Sequence, residues 1–300
     1  MPLLVAGDKV GALNTGLFNH RGRKGEDMSA QLRSPALPGA LLWARYSYPP
    51  NELGYCGPPD HRSLLHYGAE GVVDGGLEQH LRGFEGAFPY MQLIAQATGI
   101  KDPFDRRVVE AYWVGNELLD RVDRTLFANS LWDRFRHRAD RSWSYLTEAL
   151  PAGAVPHHSF HVFGVYPWVG RLRGERGGDR NSTSLEVLDR CRIRWGQVRA
   201  VEGDQVVVEY QRLTWDGTRL GLGPPELETV TRAIDGTGFV GGDDLTPGDW
   251  VSLHWHWLCD KLTPRQLANL KRYTGHQLEV TNERVRHPGP MTLGSVKREF

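Results

Sequence analysis

Residues 185–213 read LEVLDRCRIRWGQVRAVEGDQVVVEYQRL, and the sequence pattern changes within this stretch. The segments GQVRAV and QVVVEYQRL are β-branched or alternating, and the turn residues EGD separate them. Such segments are typical of short strands joined by a tight turn. We therefore predict that a β-structured region begins just after Cys191.

Two segments further downstream have the same character. They are LETVTRAID and DWVSLHW, and the Gly/Pro-rich loop 216–225 and the loop GGDDLTPGD border them. Four or five short strands with such turns favour a small closed barrel, which we expect to be OB-like. A helix is predicted after the barrel, with Thr263 as its cap and Pro264 in its first turn. The residues expected to face the barrel are Leu267, Leu270, Thr274 and Leu278.

The chain between Asp60 and Leu150 instead repeats its apolar residues at helical spacing, which predicts a helical bundle. In KDPFDRR, Asp102 is the expected cap of one helix and Pro103 its first residue. The aromatic and proline-rich segment ALLWARYSYPPNELGYCGPPDH is predicted to be an ordered loop. The segment HHSFHVFGVYPWVGRL is predicted to be a buried turn or a short strand pair that closes the bundle.

The predicted fold class is α+β, with an N-terminal helical domain followed by the small barrel and its C-terminal helix. Residues 171–184 are polar, rich in Gly and Arg and without a period, which is typical of a domain boundary. Met28, followed by Ser29, is a candidate start of the chain. The expected organisation is a disordered leader at 1–38, a mostly α-helical domain at 39–170, a linker at 171–187, the barrel and helix at 188–285, and a tail at 286–300.

Composition limits the classes of function. The chain has 300 residues, of which 40% are hydrophobic and 24% charged, as in an ordinary globular protein. The 36 basic and 36 acidic residues balance, so the charge indicates neither a nucleic-acid partner nor an anionic membrane. No apolar run is long enough to span a bilayer and no signal peptide is evident, so a cytoplasmic location is expected. The three cysteines, Cys56, Cys191 and Cys259, are expected to be free thiols.

The C-terminal half carries an ordered pattern of residues. Cys191 is followed by Gly196, then by the hairpin VEGDQVVVEY, the segment PGDWVSLHW and an amphipathic helix. In this order and spacing, residues 191–282 resemble the HypC/HupF family of hydrogenase maturation chaperones. The whole chain, with NELGYCGPPD and VFGVYPWVG, also resembles an uncharacterised bacterial family associated with nickel-iron hydrogenase gene clusters.

The resemblance implies a function and a site. By position, the cysteine that anchors iron in the chaperones corresponds to Cys191, and the histidine close to it corresponds to His254. The implied cargo is an iron-cyanide-carbonyl fragment, bound transiently. The implied partners are the hydrogenase large subunit precursor and other maturation proteins. On this interpretation the protein is a maturation chaperone or scaffold and not an enzyme.

Other residues could complete a metal site. Cys56 lies between glycines and prolines, a setting that suits either a shaped functional loop or a tight structural turn. His254 and His256 are two apart on a predicted strand and are therefore expected to share a face. Cys259 is expected to be structural. The remaining candidate ligands form the cluster H-H-x-x-H, at His157, His158 and His161, where a core role is the alternative.

No nucleophile elbow, P-loop, H-E-x-x-H or C-x-x-C motif occurs in the sequence, and GTGFVGGDD does not match a dinucleotide-binding loop. Two alternative functions nevertheless stay open. One is a metal-dependent enzyme with an interdomain site built from cysteines and histidines. The other is an interaction module without metal chemistry.

Overall fold

The computed structural model of the protein describes residues 37–135, 153–165, 168–174 and 179–286. The described residues belong to one compact unit that begins at Leu37. The predicted leader lies outside the described residues except for its last two positions, and the predicted tail lies outside them except for Arg286. The limits predicted for the domains therefore stay a prediction.

The fold is α+β, as the sequence predicts, and consists of helices, a mixed five-stranded sheet and a long C-terminal helix. The helices are α1 (Gly39–Glu52), α2 (His61–Glu70), α3 (Gly75–Arg82), α4 (Phe88–Thr98), α5 (Arg106–Trp113), α6 (Arg124–Phe135), the single turn α7 (His158–Phe160), α8 (Trp168–Gly174), α9 (Asp179–Cys191) and α10 (Pro264–Arg286). The strands are β1 (Arg194–Glu202), β2 (Gln205–Trp215), β3 (Leu220–Thr231), β4 (Ala233–Ile234), β5 (Thr237–Gly238), β6 (Trp250–His254) and β7 (Trp257–Lys261).

Aspartates begin several of the helices. Asp60 accepts a hydrogen bond from the Ser63 amide at the start of α2, and Asp74 accepts one from the Leu77 amide at the start of α3. The prediction that Asp102 caps the next long helix, α5, is wrong. Helix α5 begins three residues later than expected, because Asp105 accepts from the Arg107 amide and supplies the cap.

The prediction of a loop for the aromatic and proline-rich segment is also wrong for the first part of that segment, which forms α1. Trp43, Tyr46 and Tyr48 of this helix are buried, so packing outweighs the weak helical propensity of the segment. Pro49 and Pro50 lie near the carboxyl end of the helix and leave its earlier turns intact.

In the segment after Pro156, residues 158–165 and 168–172 are helical, not the turn or strand pair that was predicted. Helix α7 continues into a π-helical turn over His161–Val165. Helices α8 and α9 then occupy much of the predicted linker at 171–187. Leu188 is fully buried and belongs to the same apolar cluster as Leu213 and Leu220, so contacts with the strands stabilise α9.

The five long strands pair in the order β1-β2-β3-β7-β6, and β6 pairs back with β1. These pairings are antiparallel except for β3 with β7, where Thr231 lies opposite Trp257. Strand β3 begins inside the predicted 216–225 loop and includes Pro224 and Pro225, which are exposed. These prolines are tolerated because they lie beside an irregularity in the pairing with β2.

The C-terminal helix begins as predicted. The Gln266 amide donates to the Thr263 hydroxyl, and the Gln266 side chain accepts from the Thr263 amide, which is a capping box. The hydrophobic core continues from the helices into the sheet and includes Trp43, Leu253 and Trp257. Helix α1 contacts β6 and β7 directly, and this contact brings the helical part of the chain to the end of β6.

Candidate metal centre

Three side chains with metal-binding atoms meet where the helices contact the sheet. They are His158, the first residue of α7, Cys191, the last residue of α9, and His254, the last residue of β6. Their ligand atoms all lie within 4.8 Å of one another. The three residues are 5%, 9% and 0% exposed, respectively. Imidazole and thiolate together suit zinc, copper and iron, so the arrangement can hold a transition metal.

His254 has one ring nitrogen engaged and one available. Its Nδ1 lies 2.6 Å from the backbone carbonyl oxygen of Tyr46. A carbonyl can only accept, so Nδ1 carries the proton and donates it. The other nitrogen, Nε2, is buried on the side of the Cys191 carbonyl, which cannot donate, and within the described ranges no group donates a hydrogen bond to it. Its lone pair is therefore available to a metal.

His158 is held by both ring nitrogens. Nε2 lies 2.8 Å from the Cys191 carbonyl oxygen and donates to it, which leaves Nδ1 to accept from the Tyr112 hydroxyl at 3.3 Å. Because a hydroxyl can also accept, Tyr112 can serve the opposite tautomer, in which Nδ1 is protonated and Nε2 is released. His158 can thus become a ligand by moving one proton and breaking one hydrogen bond.

Burial sets the protonation states of these groups. It lowers the pKa of His158 to about 4 and that of His254 well below the usual histidine range. Both histidines are therefore neutral at pH 7, the form in which imidazole binds metals. Burial raises the pKa of the Cys191 thiol above its usual value, and the neighbouring Cys56 adds to this effect. A bound metal cation would reverse this shift by stabilising the thiolate.

Cys56 lies in the loop between α1 and α2, which covers residues 53–60. Burial raises the pKa of its thiol to about 12. The Asn51 side chain donates to the carbonyl oxygens of Cys56 and Pro58 at 2.8 and 2.6 Å, which fixes the loop. Tyr55 stacks on Trp255, the neighbour of His254, with ring centroids 4.4 Å apart. The loop thus packs against the hairpin turn that follows His254. Its Cys56 thiol also raises the pKa of the Cys191 thiol.

Two of the other predicted histidines have neighbours outside the cluster. The Nδ1 of His157 accepts from the Ser159 amide at 3.1 Å and caps α7. The Nδ1 of His161 lies 3.3 Å from the Tyr90 hydroxyl, although its ring stacks at 6.4 Å from that of His158.

The predicted shared face of His254 and His256 is wrong. The chain turns between β6 and β7, and Trp255 has a positive φ of 54°. This turn separates the two side chains, so His256 is part-exposed and lies 3.5 Å from a carboxylate oxygen of Glu52. Cys259 is fully buried on β7, outside the cluster.

Several residues that support the cluster were not found from the sequence. They are Tyr46 and Tyr112, which bond the two histidines, and Arg194, whose guanidinium donates to the Trp255 carbonyl oxygen and to Glu228. The Trp255 amide donates to the Arg190 carbonyl oxygen at 2.7 Å, which fastens the hairpin turn beside Cys191. A backbone acceptor leaves no mark in the sequence. Tyr46 could have been singled out only by first recognising that Pro50 lies four residues later in a helix.

No helix of the described ranges is both long and apolar enough to cross a membrane. No curated protein and no solved structure matches the chain. Residues 35–288 match a family model, that of DUF6390. This match covers most of the chain, which therefore belongs to DUF6390, a family of unknown function.

Proposed function

We propose that this protein is an accessory factor in the maturation of nickel-iron hydrogenases. Its cargo would be an iron fragment with cyanide and carbonyl ligands, held by His158, Cys191 and His254. The observation that carries the proposal is the convergence of three ligand atoms within 4.8 Å. Cys191 and His254 are the two positions to which the resemblance to the maturation chaperones assigns the iron. Their proximity supports that assignment, and His158 adds a third ligand.

The chemistry of the three side chains suits this cargo. Iron with cyanide and carbonyl ligands is soft and electron-rich, and a thiolate is the protein ligand suited to it. The two imidazoles are neutral and add no charge to the buried site. Three protein ligands leave further coordination positions for the diatomic ligands. Burial of the cluster excludes water from the fragment.

The surroundings of the cluster also suit a transient cargo. The loop at 53–60 joins the cluster to the surface, since Tyr55 is 59% exposed while its ring stacks on the buried Trp255. We infer that the cargo passes beside this loop when it is exchanged with a maturation protein or with the large subunit precursor. The continuous ring of strand pairings supports an OB-like barrel as the platform. A cytoplasmic location fits these partners.

The test is metal analysis with infrared spectroscopy in the cyanide and carbonyl stretching region. The protein is purified without oxygen from a host that expresses the maturation genes. Wild type is compared with Cys191→Ser and with Cys259→Ala, a matched control that changes a buried cysteine outside the cluster. We expect iron with both sets of bands in wild type and in Cys259→Ala, and their loss in Cys191→Ser.

Other outcomes would redirect the function. Zinc, or iron without these bands, would keep the metal centre but remove the hydrogenase cargo, and would favour a metal-dependent enzyme. Protein without metal in any form would overturn the centre and leave an interaction module.

A further inference from the structure

Pro50 leaves one backbone carbonyl of α1 without its helical donor. In an α-helix the amide of each residue donates to the carbonyl four residues earlier, and proline has no amide hydrogen. The carbonyl four residues before Pro50 belongs to Tyr46, and both residues are buried within the helix. A buried carbonyl needs another donor, because leaving it unpaired is costly.

The donor that this carbonyl receives is His254. Its Nδ1 lies 2.6 Å from the Tyr46 carbonyl oxygen, across 208 residues of sequence. This hydrogen bond requires the proton on Nδ1 and so leaves the lone pair on Nε2. The carbonyl therefore selects the histidine tautomer that can bind a metal. Hydrogen bonds of this kind to the second nitrogen are known to orient ligating histidines and to raise their basicity.

We propose that Pro50 is a positioning residue of the metal centre. By withholding an amide hydrogen, it frees the Tyr46 carbonyl to hold His254 in the Nδ1-protonated form with Nε2 available. This inference rests on the proposed metal-binding function. It assigns a purpose to a proline inside a helix, where the residue otherwise costs stability.

The adjacent proline provides a matched control. The amide that Pro49 lacks would have faced the carbonyl of Arg45, one residue away from the carbonyl that His254 uses. Helical bonding resumes after the pair, since the Leu53 amide donates to the Pro49 carbonyl at 3.4 Å. Alanine at either position therefore restores one amide in a helical setting, and only at position 50 does that amide compete with His254.

The first measurement is the tautomer of His254 in the metal-free protein, by NMR of the imidazole nitrogens. We expect Nδ1-protonated His254 in wild type and in Pro49→Ala. In Pro50→Ala we expect a smaller fraction of this tautomer, because the new amide donates to the Tyr46 carbonyl. Both substitutions remove a helix-breaking residue, so the variants are expected to fold, which circular dichroism checks.

The second measurement is titration of the same three proteins with cobalt(II) alone, followed by visible absorption. Loss of a hydrogen bond to a ligating histidine costs about tenfold to a hundredfold in metal affinity, and we expect about tenfold for Pro50→Ala. An unchanged tautomer together with an affinity equal to that of Pro49→Ala would overturn the role of Pro50. If wild type binds no cobalt, the metal centre fails, whereas the tautomer still tests the role of Pro50.

Discussion

At the scale of single residues, Tyr112 supports the form of His158 that can bind a metal through Nε2. To bind a metal through Nε2, His158 must leave the Cys191 carbonyl and carry its proton on Nδ1, where the Tyr112 hydroxyl at 3.3 Å is the acceptor. Tyr112→Phe would leave that N–H buried without this partner. We expect the variant to bind cobalt(II) about tenfold more weakly than wild type.

The control for this substitution is Tyr90→Phe. Tyr90 is also buried, stacks on Tyr112 and makes the equivalent contact with His161, which is outside the cluster. Metal affinity close to that of wild type is expected for Tyr90→Phe. Equal losses in the two variants would indicate a general effect of packing and would argue against a specific role for the Tyr112 hydroxyl.

At the scale of elements, the position of α1 depends on its close approach to the start of α5. A Cβ on Gly39 would lie 2.0 Å from the Phe104 carbonyl oxygen, so the backbones would have to separate. We expect Gly39→Ala to lower the free energy of unfolding by about 1 to 3 kcal/mol, as overpacking does. Because α1 also carries the Tyr46 carbonyl, we expect Gly39→Ala to lower the metal affinity as well.

Gly75 is the matched position for this test. It lies near the start of α3, and a Cβ there would meet no atom within 4 Å. Chemical denaturation of Gly75→Ala is expected to give a free energy of unfolding equal to or slightly above that of wild type, since alanine is the better helix former. If Gly39→Ala were as stable as Gly75→Ala, this result would contradict the close approach of Gly39 to the Phe104 carbonyl.

A second contact between elements is a pair of hydrogen bonds that joins α10 to β3. The Asn282 side chain accepts from the Leu220 amide and donates to the Leu220 carbonyl, both at 2.8 Å and both buried. Asn282→Ala would leave the two backbone groups without these bonds, and we expect a loss of about 1 to 3 kcal/mol in the free energy of unfolding. Glu279→Gln, at an exposed position of the same helix, should change it little. A similarly small change in Asn282→Ala would show that water replaces the side chain.

The sequence predicts these elements unequally. The strand region after Cys191 and the helix start at Thr263 are evident from spacing and local chemistry alone. Helix α1 and the helices within 171–187 are not, because contacts with distant residues stabilise them, as the burial of Trp43 and Leu188 illustrates. For the cluster, sequence gives the residue types, including His158, Cys191 and His254. It cannot give the bond from His254 to the Tyr46 carbonyl, because that acceptor is backbone.

At the scale of the whole molecule, four buried histidines make stability depend on pH. Burial lowers the pKa of His157 to about 3 and of His158 to about 4, and it holds the pKa of His161 and His254 well below the usual range. In the unfolded chain these groups titrate near pH 6.5. At a pH between the folded and unfolded pKa values, the unfolded state binds more protons than the folded state. The contribution of these histidines to the free energy of unfolding is therefore fully present above about pH 6.5 and is lost as the pH falls toward 4.

Each histidine contributes up to about 1.4 kcal/mol per pH unit within its window. Asp260, whose pKa is raised by burial, acts in the opposite direction but is a single group. We therefore expect the free energy of unfolding of the metal-free protein, measured by urea denaturation, to change little between pH 7.5 and pH 6.5 and to fall steeply as the pH is lowered from about 6.5 toward 4. His157→Asn removes one titrating group and retains an acceptor for the Ser159 amide. The free energy of unfolding of this variant should therefore depend less steeply on pH than that of wild type, by the contribution of one histidine. A free energy that stays flat across this range in both proteins would contradict the burial of neutral histidines around the cluster.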